Sequence, residues 1–77
     1  MTTKPLTETE NTVLQFIVRY RALNGFSPTI REICNGTNYS SPNYINHILY
    51  RLKDKGYITF RERQARTIVV THLPEGA

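Results

Sequence analysis

The chain has 77 residues and a single cysteine, Cys34, and one thiol cannot close an internal disulfide. No apolar run approaches the roughly 18 residues a membrane-crossing helix needs, and the amino terminus lacks the pattern of a secretory signal. A reducing cytoplasm and no membrane partner are therefore expected. A Gly-rich phosphate loop, a paired-carboxylate arrangement and a nucleophile beside an evident base are all missing, so an enzyme would have no residues to work with. His47, His72 and Cys34 do not stand at zinc-ligand spacing, which leaves no expected metal, cofactor or small-molecule ligand. Cys34 lies among apolar neighbours and reads as a small buried hydrophobe. Repeats, low-complexity segments and linkers are absent too. A chain of this size buries only roughly 60% of its unfolded surface, enough for one domain. Residues 6–71 are expected to form its core, with tails at 1–5 and 72–77.

What is present argues for a folded and locally basic molecule. Apolar residues make up 39% and aromatics 10%, above the level of a disordered chain. The net charge of +4 is concentrated rather than spread. Between residues 51 and 66, Arg51, Lys53, Lys55, Arg61, Arg63 and Arg66 meet only Asp54 and Glu62, a net +4 in one short region. That concentration suggests the footprint of a polyanion.

Three helices can be read from their ends. Thr7 and Glu10 are spaced as a capping box, and an apolar seam through Val13, Ile17 and Tyr20 carries the first helix to about Ala22, before Asn24-Gly25. Phe26-Ser27-Pro28 is extended, because the residue before proline avoids helical geometry. Thr29 and Glu32 form a second capping box, opening a short helix to about Gly36 with Ile30, Ile33 and Cys34 inward. The polar connection Thr37-Asn38-Tyr39-Ser40 follows, and Asn38 suits a positive φ. Ser41 is then the N-cap of a third helix with Pro42 at its first position and Gly56 at its C-terminal stop.

The third helix organises the rest. Ile45, Ile48, Leu49 and Leu52 form one apolar stripe, while Asn43, Tyr44, Asn46, His47, Tyr50 and Arg51 occupy the other face. Amides, hydroxyls, an imidazole and a guanidinium are the groups that read base edges and phosphates. Two helices joined by a short turn, the second with a polar outer face, make a helix-turn-helix. After Gly56 the hydrophobic period changes to 2. Residues 57–60 and 67–71 read as strands of a hairpin whose tip carries Arg61, Arg63 and Arg66, a basic wing beside the third helix.

Taken together, Leu6-Thr7, Gly25-Phe26-Ser27-Pro28-Thr29, Arg31-Glu32-Ile33, Ser41-Pro42-Asn43, Leu49, Leu52 and Lys55-Gly56-Tyr57-Ile58 resemble the DNA-binding domain of LexA, the SOS-response repressor family. The resemblance runs from Leu6 to Val70 without a gap. It implies an α+β, mainly α, winged helix-turn-helix with the third helix in the major groove. Carried over by position, it assigns base contacts to Ser41, Asn43, Tyr44, Asn46 and His47. Backbone contacts are expected from Thr29, Tyr50, Arg51, Lys53, Arg61, Arg63 and Arg66. Thr37-Asn38 stands where the family has Leu-Gly, in the turn that sets the angle between the second and third helices, and the side chains at 44, 46 and 47 differ from those of well-known members, so the resemblance does not carry the family operator over. The family's C-terminal half, with its Ser/Lys self-cleavage site and main dimerisation surface, has no counterpart in this sequence. A stand-alone regulator, as mobile elements often encode, and a domain cut from something larger both fit that pattern.

The function expected is a sequence-specific double-stranded DNA-binding regulator, a repressor, pairing with a second copy on a palindromic site. The alternative is a winged-helix module that binds another protein and has little affinity for duplexes.

Overall fold

The computed structural model describes residues 5–62, 64 and 66–73. Three helices come first: α1 (Glu8–Asn24), α2 (Ile30–Thr37) and α3 (Pro42–Asp54). A two-stranded antiparallel sheet follows, β1 (Ile58–Thr59) and β2 (Val69–Val70), with Ile58 opposite Val70 and Thr59 opposite Val69. This is the mainly helical winged helix-turn-helix arrangement.

Each helix starts where its cap stands. Thr7 accepts from the Glu10 amide at 3.2 Å while the Glu10 carboxylate accepts from the Thr7 amide at 3.0 Å. Thr29 and Glu32 repeat the exchange at 3.2 and 2.8 Å. Ser41 accepts from the Tyr44 amide at 3.3 Å. These reciprocal bonds satisfy donors that a helix start leaves unpaired.

The helix ends needed more than local signals. α1 continues two residues past Ala22, because Gly25 takes φ 80° and its N–H donates to Arg21, leaving Asn24 helical. α2 keeps Gly36 and Thr37 within it and closes on Asn38, at φ 64°. Gly36 lies under Phe16 of α1, and a Cβ added there would overlap the ring, with Cδ1 only 2.8 Å away. α3 closes at Gly56, φ 88°, where the Gly56 and Tyr57 amides donate to the Lys53 and Leu52 carbonyls at 3.0 Å each. That paired arrangement is a Schellman motif.

The strands are shorter than the sequence period implies. Toward the wing tip, the Thr67 hydroxyl accepts from the Arg61 amide at 2.9 Å and lies 3.2 and 3.0 Å from the carbonyls of Arg61 and Gln64. A side chain thus satisfies backbone groups that a longer ladder would have paired. At the other end, the Tyr57 carbonyl accepts from both Thr71 and His72, and the His72 ring packs edge-on against Tyr57 at 5.3 Å. His72, expected in the tail, thus contacts Tyr57 through both backbone and ring.

Every element contributes to one core: Val13, Leu14 and Ile17 from α1, Ile33 and Cys34 from α2, Ile45, Ile48, Leu49 and Leu52 from α3, with Tyr57, Ile58 and Ile68 from the hairpin. Four side chains from one stripe of α3 are held from three sides, which fixes the azimuth of its opposite face.

Candidate DNA interface

Burying that stripe leaves Ser41, Asn43, Tyr44, Asn46, His47 and Tyr50 exposed together on α3. Ser41 spends its hydroxyl on the helix cap. Asn43, Asn46 and His47 carry no side-chain hydrogen bond to another described residue, so their donors and acceptors face outward uncommitted. Tyr44 is pinned from behind, its ring edge-on to Tyr39 of the turn at 5.7 Å.

The wing is attached to α3 through Tyr50. Its ring packs edge-on to Phe60 at 5.2 Å, its hydroxyl donates to Glu62, and the Lys53 ammonium sits 5.1 Å from the Phe60 centroid. Between the start of α2, the outer face of α3 and the wing lies an open cleft of about 560 Å³. Thr29, Asn46, Tyr50, Arg61, Arg31 and Gln64 line it. Arg31 and Gln64 are not among the DNA contacts expected from sequence, since neither belongs to a helix-face pattern and only the packing of α2 beside the wing brings them there.

The cations divide into two groups. Arg61 is exposed and its side chain has no partner among the described residues. Lys53 stands exposed over Phe60. Arg51 is half exposed and 3.6 Å from the Glu10 carboxylate. Arg63 lies outside the described residues. Lys55, by contrast, is drawn inward: it donates to Glu10 and to the Pro5 carbonyl, the latter at 3.0 Å. Arg66, expected at the DNA backbone, is bound within the protein. Its guanidinium grips Glu32 through Nη1–Oε1 at 3.0 Å and Nη2–Oε2 at 3.1 Å, donates to the Ser27 carbonyl at 3.1 Å, and lies 4.6 Å over the Phe26 ring. The Arg66 guanidinium, with the Thr29 amide, holds the Glu32 carboxyl down to about 2, and Glu32 in turn raises the Arg66 pKa.

An exposed face of amides and imidazole on the second helix of a helix-turn-helix, flanked by a wing and by uncommitted cations, has the chemistry to engage duplex DNA. The sequence profile described as the LexA DNA binding domain matches residues 3–67. The chain belongs to the LexA DNA-binding-domain family. Its LexA-family relatives include the LexA repressor of Desulfatibacillum aliphaticivorans, 43% identical over 72 residues that cover 94% of this chain and 36% of that protein. The LexA repressor of Carboxydothermus hydrogenoformans is 39% identical, covering 91% of this chain and 35% of its own length. That of Myxococcus xanthus is 42% identical over 66 residues, 86% of this chain and 30% of the relative. The chain thus spans about a third of the length of these LexA relatives. Among the described residues no helix is long and apolar enough to cross a membrane.

Proposed function

We propose that this chain binds double-stranded DNA sequence-specifically and regulates transcription as a repressor that occludes its site. α3 enters the major groove, with Asn43, Asn46 and His47 reading base edges, and Ser41 and Tyr44 at the helix start. An asparagine amide can pair bidentately with adenine, and histidine can donate to guanine. Tyr44, held by Tyr39, offers a ring to a thymine methyl or a sugar. Thr29, Tyr50, Arg51, Lys53, Arg61 and Arg63 meet the backbone and fix register without reading sequence.

The observation that carries this proposal is the set of three uncommitted polar side chains on one exposed α3 face, backed by a fully packed stripe. The family relatives named as repressors support the regulatory part. One unit presents a single reading helix, so specific binding pairs two copies on half-sites related by a two-fold axis. The isolated chain is a monomer in solution on this reading.

Selection from random duplex DNA at about 150 mM salt tests it, followed by titration of the winners against scrambled duplexes. A recovered motif bound at least about a thousandfold tighter than scrambles is the expected result. Absence of binding to any duplex would replace this reading with that of a protein-binding winged helix.

A further inference from the structure

Arg66 sits among the cations of a DNA-facing wing, yet its charge is spent on the protein. Glu32, which it grips, is also the capping-box acid of α2: Oε1 accepts the Thr29 amide at 2.8 Å and Arg66 Nη1 at 3.0 Å. One carboxylate therefore joins the start of the first helix of the helix-turn-helix to the returning leg of the wing, across 34 positions of sequence. The restraint does not stop there. Arg66 takes φ 61°, a left-handed conformation that a non-glycine residue adopts only when its surroundings hold it. The next residue, Thr67, hydrogen-bonds the Arg61 amide at 2.9 Å. Holding Arg66 against α2 thus holds Thr67, and through it the backbone of Arg61, at a fixed place beside the cleft.

Resting on the function proposed above, we propose that Arg66 is a positioning residue: it latches the wing to α2 through Glu32 and so sets Arg61 relative to the reading face of α3, without itself contacting DNA. The latch has three parts: the two-pronged bond to Glu32, the bond to the Ser27 carbonyl, and the stack on Phe26. The Glu32 bond uses the fork of a guanidinium and the Phe26 stack its flat face, and a lysine ammonium could reproduce the charge but neither of these.

Binding of the wild type, Arg66→Gln, Arg66→Lys, Glu32→Gln and the Glu32→Gln/Arg66→Gln double variant to a duplex recovered by selection and to a scrambled duplex separates a latch from a phosphate contact. Titrations run over a range of salt, at a temperature where melts show every variant folded. Glutamine at 32 still serves a capping box, so Glu32→Gln breaks the two-pronged ionic part of the latch and leaves α2 capped. A latch predicts that Glu32→Gln weakens binding roughly three- to tenfold although it removes a negative charge. Arg66→Gln and Arg66→Lys should lose at least as much, the double variant no more than Arg66→Gln, and any flattening of the log–log salt slope, arising from a displaced Arg61, should be shared by Glu32→Gln. A phosphate contact predicts the opposite on each count. Arg66→Gln would make the slope shallower by about 0.9, Arg66→Lys would retain most affinity, and Glu32→Gln would bind as tightly as wild type or tighter with the wild-type slope; that pattern overturns the proposal while leaving DNA binding intact. A wild type that binds no duplex overturns the functional reading, and the positioning role with it.

Discussion

Glu10 and Lys55 lie 45 positions apart and meet where the start of α1 crosses the end of α3. The Glu10 side chain is fully buried, Oε1 accepts from both the Thr7 amide and the Lys55 ammonium, and Oε2 faces Arg51 at 3.6 Å without a hydrogen bond. Burial alone pushes this carboxyl up. The bonds from Lys55 and Thr7 outweigh it and leave the pKa below the usual value of 4.5. The same carboxylate thus caps one helix and fixes the C-terminal end of the reading helix.

Replacing Glu10 with alanine removes the carboxylate half of the capping box and strands the Lys55 ammonium beside an apolar core. Breaking one partner of a buried pair leaves an uncompensated charge, so a loss of about 2–4 kcal/mol is expected in urea unfolding. Lys55→Met, which strands Glu10 instead, should cost a comparable amount. A loss under about 0.5 kcal/mol for both would mean that the pair contributes no more than an exposed one.

Glu32 gives a signed pH dependence. Its carboxyl is held at about 2 in the folded chain against an ordinary 4.5, chiefly by Arg66, with the Thr29 amide and Tyr20 assisting. A depressed folded pKa contributes stability that is fully present above the unfolded value and is lost as pH falls through the folded one. The stability difference between wild type and Arg66→Gln should therefore be greatest above 4.5 and shrink as pH falls toward about 2. A difference independent of pH would show that Arg66 stabilises the wing through the Phe26 stack and the Ser27 carbonyl rather than through Glu32.

Gly36 is inside α2, where alanine would ordinarily add up to about 1 kcal/mol of helix stability. Here the added Cβ would overlap Phe16. Overpacking outweighs propensity, and Gly36→Ala should lower stability by about 1–2 kcal/mol. Combining it with Phe16→Leu should recover most of that loss. A melting temperature that rises in the single variant would show that the ring swings clear.

On DNA, base readers and backbone contacts separate by their pattern of loss. Asn46→Ala should relax preference at one or two base pairs by about 1–3 kcal/mol while leaving scrambled duplexes unaffected. Arg61→Ala should weaken all duplexes alike and reduce the salt slope by about 1. A sequence-selective loss from Arg61→Ala would place that side chain at a base edge.

Much of this protein follows from short-range chemistry written along the chain. Capping boxes span three residues, Pro42 and Gly56 mark the ends of α3 by their own backbone limits, and Asn38 takes the positive φ its side chain tolerates. The stripe Ile45, Ile48, Leu49 and Leu52 settles which face of α3 points outward, so the exposed placement of Asn43, Tyr44, Asn46 and His47 is legible from the sequence by itself. Strand length was not, because a hydroxyl of Thr67 replaced backbone partners, and neither was the depth of α1–α2 approach that makes Gly36 a contact rather than a stop.

Only the tertiary structure decided how the charges are used. Counting along the chain makes Lys55 and Arg66 equal to Lys53 and Arg61, four cations in one basic stretch. In the fold, the two capping glutamates each take a second, distant partner: Glu10 takes Lys55 and Glu32 takes Arg66. A local cap is visible in sequence because its partners are three residues apart. Its spare acceptor capacity is filled by whichever cation the packing of helices brings within about 3 Å, and that depends on crossing geometry rather than on spacing along the chain.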